Sequence, residues 1–430
     1  MKDKDSKLLL KNTIMMYLMS IAKLVIPLIS LPYLVRVLSV DCYGSVSFVK
    51  SVISYMQILI DFGFILSATK DIVLLIKNGK DAGEAIGNTL YAQLILSSIA
   101  CVFMFVCCLI FDMLKGLELF AFLYLLNCIL SIFLFEYVFK AYEQMGKISI
   151  RFIIMKIISL VLTIVFVKGD GDILLMPIFE IIATIVAIGM AWIELKKMNV
   201  KIRFRFKAIK DGLACLKRSL TYFFSNFATT AFSVLNTLII GLFLTEADVA
   251  YWALAIQMAG VIQGLYDPII NSVFPVMIRK KDMSIIHKIL KIYIPLIVCG
   301  CVFIIVAGDP VVTFVFGKDY QQSSFLLKCL TPLLLVSFPA MLYGWPCLGA
   351  IDKQKQATWS TITAAIVQVV GLCILIAINQ FTLIGVVIVR NLTECVLMVI
   401  RMTICYKNKK LFNNETENKG IANIAEEKKD

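Results

Sequence analysis

Apolar stretches of about 20 residues recur along the whole chain, and short polar segments separate them. A membrane-spanning helix needs about 20 mostly apolar residues, because the hydrocarbon core of a bilayer is about 30 Å thick. With 60% apolar and 17% charged residues, the chain is more apolar than soluble proteins, which average about 45–50%. The sequence therefore predicts an all-α membrane protein with about 12 transmembrane helices. The predicted spans begin near Thr13, Ser45, Gly87, Leu117, Ile148, Ile173, Leu220, Val249, Ile292, Ser323, Thr358 and Leu383.

Lysine and arginine residues are distributed unequally between the two sets of connecting segments. If the N-terminus is cytoplasmic, both termini and the connections on that side hold 32 of these residues. The opposite connections hold only Arg36, Lys115, Lys168 and Lys318. Because cytoplasmic loops of membrane proteins carry the excess of Lys and Arg, the sequence predicts that both termini are cytoplasmic.

The longest cytoplasmic connection is basic and divides the spans six and six. We therefore predict an N-terminal six-helix lobe (1–195), a basic cytoplasmic connecting loop (196–218), a C-terminal six-helix lobe (219–406) and a disordered cytoplasmic tail (407–430). Basic and apolar residues alternate in the loop, as in some nucleic-acid-binding surfaces. A segment that lies on anionic lipid headgroups is the better interpretation, so the expected partner is membrane lipid and not nucleic acid.

Polar residues recur at steps of three and four in four predicted spans, which places them on one face of each helix. Lipid tails cannot satisfy such groups, so each face is expected to line a watery cavity. Hydrogen bonding between helices is the alternative interpretation. The faces are Ser20, Lys23, Pro27 and Ser30 in span 1; Ser47, Lys50, Ser54, Gln57 and Asp61 in span 2; Asn226, Thr229, Ser233 and Asn236 in span 7; and Gln257, Gly260, Gly264, Asp267 and Asn271 in span 8.

Charged residues inside the spans are the strongest functional signal, because each costs about 2.5–3.5 kcal/mol at a helix centre. Span 1 contains no acid that could pair with Lys23. The balance of embedded charge is cationic, which suits an anionic ligand such as a phosphate. Arg390 and Glu394 stand four residues apart in the last span, and they either pair with each other or serve the cavity. The acids considered as carriers of a coupling ion are Asp61, Asp267 and Glu394, together with Glu136 and Glu180.

Catalytic and metal-binding motifs are absent from the sequence. There is no phosphate-binding glycine-rich loop, one histidine (His287), and no pair of cysteines at zinc-ligand spacing. The 13 cysteines lie mostly inside apolar runs, where they act as small apolar residues. We therefore expect no catalytic residue, no metal and no cofactor, and the protein is not expected to be an enzyme.

Several segments together resemble the Wzx-type polysaccharide (O-antigen) flippases, and their order and spacing carry the resemblance over nearly the whole chain. These segments are Pro27 to Leu38 (PLISLPYLVRVL), Tyr43–Gly44, Asp61 to Asp71 (DFGFILSATKD), Phe135 to Lys147, Tyr251 to Pro275, Phe316 to Tyr320, and Gly344 to Gly349.

The resemblance implies a fold shared with MATE-type multidrug exporters and lipid II flippases. In that fold two six-helix lobes enclose a central cleft, and spans 1, 2, 7 and 8 line it. The chain departs from both relatives. Span 1 lacks the acid that similar MATE-type exporters use for ion coupling, and the two extra C-terminal spans of the lipid II flippases are missing.

Residues and resemblance together predict a flippase of the bacterial plasma (inner) membrane. It would move an undecaprenyl-diphosphate-linked oligosaccharide, an O-antigen or capsule repeat unit, to the outer leaflet by alternating access. The polysaccharide polymerase and chain-length machinery are expected partners. A MATE-like exporter of organic cations is the alternative, and it would need an anionic cavity; a polymerase or ligase would need a long outer loop. The predicted cavity residues are Lys23, Lys50, Ser54, Asp61, Asn236, Gln257, Asp267, Asn271 and Arg390.

Overall fold

The computed structural model describes residues 2–203 and 208–412, and every regular element within these ranges is a helix. This agrees with the predicted all-α fold. The α-helices are α1 (Lys2–Val37), α2 (Val40–Asp61), α3 (Phe64–Lys77), α4 (Gly83–Ile110), α5 (Glu118–Ser131), α6 (Glu136–Ala141), α7 (Met145–Phe166), α8 (Leu175–Lys197), α9 (Ala208–Phe243), α10 (Glu246–Gly264), α11 (Asp267–Lys280), α12 (Met283–Phe316), α13 (Gln321–Cys329), α14 (Thr331–Leu342), α15 (Gln354–Ala377) and α16 (Leu383–Lys407).

Ten helical stretches of the described residues are long and apolar enough to cross a membrane. They coincide with ten of the twelve predicted spans. The other two predicted spans fall on α2 and α9, which are helical but are not among the ten. In α2 the polar face interrupts the apolar composition that marks a span. The total of twelve spans and the cytoplasmic side of the termini therefore stay predictions.

Some prolines interrupt helices and others do not. Pro268 follows the break between α10 and α11, Pro332 opens α14, and Pro346 lies in a π-helical segment that continues α14 (Tyr343–Gly349). Proline lacks a backbone N–H, so a carbonyl one turn earlier loses its partner there. By contrast, α1 runs without interruption through Pro27 and Pro32.

The chain divides into two compact units, Met1–Ala250 and Tyr251–Asp430. In the first unit, α9 packs against α2, α3 and α4. The predicted lobes placed this helix in the second half. The helix also begins at Ala208, inside the segment predicted as a connecting loop. The lobe boundaries at 195 and 219 thus stay predictions, whereas the contacts of α9 are with helices of the first unit.

Two glycines allow α2 to approach its neighbours closely. A β-carbon on Gly44 would overlap the carbonyl oxygen of Glu246 at the start of α10, and one on Gly241 in α9 would overlap the ring of Phe48. Phe48 is fully buried and meets Phe111 edge-on at 5.8 Å between ring centroids. Small residues that bring backbones together are typical of helix packing in membranes.

The core of the second unit surrounds the π-helical segment. Arg401 on α16 donates hydrogen bonds to the carbonyl oxygen of Ala340 (2.8 Å), to Ser360 Oγ (3.0 Å) and to Thr361 Oγ1 (3.0 Å). The guanidinium thereby satisfies a backbone group next to the irregular segment, which a bilayer could not do.

The connection after α8 is tied to the first unit. The backbone N–H of Arg203 donates to the carbonyl oxygen of Gly83 (3.1 Å), and Arg203 Nη2 lies 3.2 Å from Asp81 Oδ2. Arg218 Nη1 on α9 lies 3.5 Å from Asp71 Oδ2. Residues 204–207 of the predicted loop and 413–430 of the predicted tail lie outside the described residues.

Candidate functional site

The polar face predicted on α2 is present, and its hydroxyl groups bond within the helix. Ser47 Oγ donates to the carbonyl oxygen of Tyr43 (2.8 Å), and Ser54 Oγ donates to that of Lys50 (2.9 Å). Ser20 on α1 donates in the same way to Met16 (3.1 Å). Such back-bonding satisfies the hydroxyl donor locally. The described bonds of these serines therefore lie within their own helices.

Lys50 is half-buried at the centre of this face. Its Nζ lies 5.4 Å from the ring centroid of Tyr124 on α5, a cation–π distance. Among the described residues, no carboxylate comes within ion-pair distance of Lys50. The Tyr124 ring is 4% exposed, and its hydroxyl has no hydrogen-bond partner within the described part of the chain. The Lys50 ammonium thus has no described ion-pair partner, and the buried Tyr124 hydroxyl beside it has no described hydrogen-bond partner.

A hydrogen-bonded network lies one turn further along α5. Asn127 Nδ2 donates to Glu180 Oε2 (3.2 Å), and Thr184 Oγ1 donates to Asn127 Oδ1 (2.7 Å). Glu180 and Lys156 both act electrostatically on Lys50, Glu180 by attraction and Lys156 by repulsion. We call these six residues the Lys50 cluster: Lys50, Tyr124, Asn127, Lys156, Glu180 and Thr184. With two ammonium groups and one carboxylate, the cluster carries a net positive charge.

Further cations belong to the same unit. Lys23 on α1 lies 5.4 Å from the ring centroid of Phe152 on α7, one turn from Lys156. Lys140 interacts electrostatically with Lys23 and with Glu136. As with Lys50, no described carboxylate lies within ion-pair distance of Lys23. Lys23 and Lys50 therefore both lie in the first unit without a described ion-pair partner, and a cationic cavity stays a prediction.

Arg151 is buried in the first unit, at 4% exposure. Arg151 Nη1 donates to the carbonyl oxygen of Leu134 (3.0 Å), and the guanidinium lies 4.1 Å from the ring centroid of Phe139. This hydrogen bond satisfies a backbone carbonyl in the connection between α5 and α6, so we assign this arginine a structural role.

Two other predicted residues of the first unit, Asp61 and Asn236, are not members of the Lys50 cluster. Asp61 is the exposed last residue of α2, and Phe62 (φ 40°) and Gly63 (φ 75°) end the helix in the left-handed conformation. Asn236 on α9 is 1% exposed. The side chains of Asn226, Thr229 and Ser233 lie outside the described residues.

In the second unit the predicted residues are dispersed. Gln257 is half-buried on α10, while Asp267 and Asn271 are exposed on α11 beyond the helix break. Asp267 lies in the first turn of α11, where the helix dipole favours a negative charge.

Arg390 and Glu394 pair with each other on α16. Arg390 Nη1 lies 3.0 Å from Glu394 Oε2, and both residues are buried. This is the local pairing that the spacing allowed. This ion pair joins the two charges on one helix, and a cavity role for Arg390 stays a prediction.

Sequence reasoning did not identify Tyr124, Asn127 and Thr184. The usable signal was spacing, since Tyr124 and Asn127 are three apart on α5, and Glu180 and Thr184 are four apart on α8. Each pair occupies one helix face. Two polar residues make too short a face to stand out from ordinary apolar spans.

Known proteins resemble this chain in sequence and in fold. A family model described as "Polysaccharide biosynthesis protein" matches residues 9–281. Two similar proteins are both named "Putative O-antigen transporter". The one from Shigella dysenteriae is 25% identical over 371 residues, covering 83% of this chain and 90% of that protein. The one from Escherichia coli (strain K12) is 21% identical over 415 residues, covering 93% and 97%.

Solved structures with a similar fold include multidrug transporters. An inward-facing MATE family transporter of the MOP superfamily matches with a TM-score of 0.60 and 14% identity, covering 92% of this chain and 99% of that one. An outward-facing one matches with a TM-score of 0.59 and 16% identity, covering 94% and 96%. At this identity the likeness shows the fold alone. The family match spans more than half of the sequence, and the chain therefore belongs to the polysaccharide biosynthesis protein family of multi-pass membrane transporters.

Proposed function

We propose that this protein is a flippase for an undecaprenyl-diphosphate-linked oligosaccharide in the bacterial inner membrane. The glycan and diphosphate would cross through a polar cavity between two six-helix lobes while the polyprenyl chain stays in lipid. Burial of a hydrated headgroup in hydrocarbon is the main barrier to crossing, and a polar, cationic cavity lowers it. Alternating access would then release the repeat unit at the outer leaflet for O-antigen or capsule assembly.

The observation that carries this proposal is the charge of the first unit. Lys23, Lys50 and Lys156 lie on three helices, and none of them has a described carboxylate within ion-pair distance. A cation kept in a membrane protein without a direct partner is expected to serve a ligand. Phosphate oxygens are strong acceptors for ammonium groups, and the family and its named relatives concern polysaccharide and O-antigen.

A strain that lacks the protein tests the proposal. We expect single repeat units on undecaprenyl diphosphate to accumulate in the inner leaflet, because flipping precedes polymerisation on the outer face. Long surface glycan should fall at least tenfold on a gel, and the extracted lipid-linked pool should rise. Normal long-chain glycan in the deletion strain would contradict the proposal, and complementation with the intact chain is the control.

Export of organic cations is the second candidate, since the fold is that of multidrug transporters. An ammonium in the cavity repels a cationic dye, so we expect overproduction to give no gain in ethidium efflux. A gain in efflux together with normal surface glycan in the deletion strain would favour the exporter.

Topology gives a separate prediction. We expect a cysteine introduced at Gly171, which is exposed between α7 and α8, to react with a membrane-impermeant maleimide in intact spheroplasts. A cysteine at Asn199, beyond the other end of α8, should react only after permeabilisation, because the basic side is cytoplasmic. The unsubstituted protein is the control for labelling of the native cysteines. Labelling of the cysteine at Asn199, but not of the one at Gly171, in intact spheroplasts would contradict the proposed topology.

A further inference from the structure

Glu180 is the acid of the Lys50 cluster, and it attracts Lys50 electrostatically without forming a described ion pair with it. The side chains that link Glu180 to Lys50 both lie on α5. Lys50 lies over the ring of Tyr124, and Glu180 accepts a hydrogen bond from Asn127. Tyr124 and Asn127 are three residues apart, so their side chains stand side by side on one helix face, with β-carbons about 5–6 Å apart. The carboxylate and the ammonium therefore lie close to each other without touching.

A hydrogen bond from Asn127 holds the Glu180 carboxylate in place, and a second hydrogen bond holds Asn127. Asn127 donates to Glu180 Oε2 through Nδ2, and its Oδ1 is occupied by Thr184 Oγ1 at 2.7 Å. This arrangement fixes which way the Asn127 amide points. A carboxylate held beyond ion-pair distance lowers the positive potential around Lys50 and Lys156, but it leaves their N–H donors free for another acceptor.

We propose that Glu180 is an internal counter-ion of Lys50 and Lys156, and that it limits how tightly the cavity holds the diphosphate of the substrate. This inference rests on the proposed function. A transporter must release what it binds, and two ammonium groups with no nearby acid would retain a diphosphate. Glu180 weakens that attraction and restores charge balance when the diphosphate leaves.

The test measures binding of inorganic pyrophosphate to the purified full-length protein in lipid nanodiscs by calorimetry at low salt. Glu180→Gln keeps the acceptor for Asn127 but removes the charge, and we expect it to bind pyrophosphate about tenfold more tightly than the wild type. Lys50→Gln should bind at least tenfold more weakly. The matched control is Glu143→Gln, which removes an exposed acid outside the cluster and should leave binding unchanged.

A second variant keeps the proposal testable if Glu180→Gln fails to fold. Asn127→Leu removes the tether and lets the carboxylate approach Lys50, so we expect pyrophosphate binding to weaken severalfold, opposite in sign to Glu180→Gln. Thermal melting of each variant checks folding.

The possible outcomes separate the two proposals. If Lys50→Gln weakens binding but Glu180→Gln does not strengthen it, the counter-ion role is wrong and the cationic site stands. If Glu180→Gln binds pyrophosphate like the wild type but stops glycan export, Glu180 acts in ion coupling and the counter-ion role is again wrong. If neither the wild type nor Glu180→Gln binds pyrophosphate, both the counter-ion role and the cationic diphosphate site fail. The deletion strain still tests glycan transport independently.

Discussion

Lys50→Gln is expected to abolish most glycan export while the protein level stays near that of the wild type. A hydrogen bond to a charged group contributes about 1.5–3 kcal/mol, which corresponds to a roughly 10- to 100-fold loss of affinity for a phosphate group. Lys50 lies on the polar face of α2 with its ammonium beside the ring of Tyr124, so glutamine keeps the helix and loses the charge. The measurement is long-chain surface glycan, normalised to protein level in membranes.

The matched control for that experiment is Lys115→Gln. Lys115 is exposed in the connection between α4 and α5 and pairs with Asp112. We expect this variant to export glycan at the wild-type level, because its charge lies outside the cluster. Export by Lys50→Gln at the wild-type rate would remove Lys50 from the proposed cavity.

Gly44→Val is expected to destabilise the protein strongly. The added side chain would overlap the backbone of Glu246, which cannot move aside as a flexible side chain can. Overpacking of a close contact costs about 1–3 kcal/mol and sometimes more. We therefore expect a lower melting temperature in detergent and a several-fold lower protein level in membranes.

Gly189→Val serves as the control for this prediction. Gly189 also lies inside a helix of the first unit, but nothing lies within 4 Å of a β-carbon placed there. Both variants introduce the same β-branched residue into a helix, so the difference between them reports the contact at Gly44. Equal stability of the two variants would show that α2 does not approach α10 as closely as described.

The helices could be predicted from the sequence because each is a local property of an apolar run. The face of α2 could also be predicted, since steps of three and four residues place Ser47, Lys50 and Ser54 together. The contacts between helices could not be predicted. Asn127 meets Glu180 across 53 positions, and nothing in the spacing within α5 or α8 indicates which helices are neighbours.

Two other features depend on tertiary structure in the same way. The position of the basic loop predicted a division before α9, and nothing in the sequence indicates that α9 packs against α2 and α4. Gly241 on α9 admits the ring of Phe48 on α2. Arg401 is a cation near the end of a predicted span, and only the fold shows that it satisfies the carbonyl oxygen of Ala340.

The packing of α9 against α2 sets an order of events during synthesis. About 190 residues separate Phe48 from Gly241, and a ribosome adds about 5–20 residues per second. The face of α2 that receives α9 therefore waits roughly 10 to 40 s in the membrane for its partner. During that interval the side of Phe48 that meets Gly241 is open to lipid, to the insertion machinery or to a neighbouring nascent chain. A truncated protein that ends before α9 would keep that surface uncovered and become a target for membrane proteases.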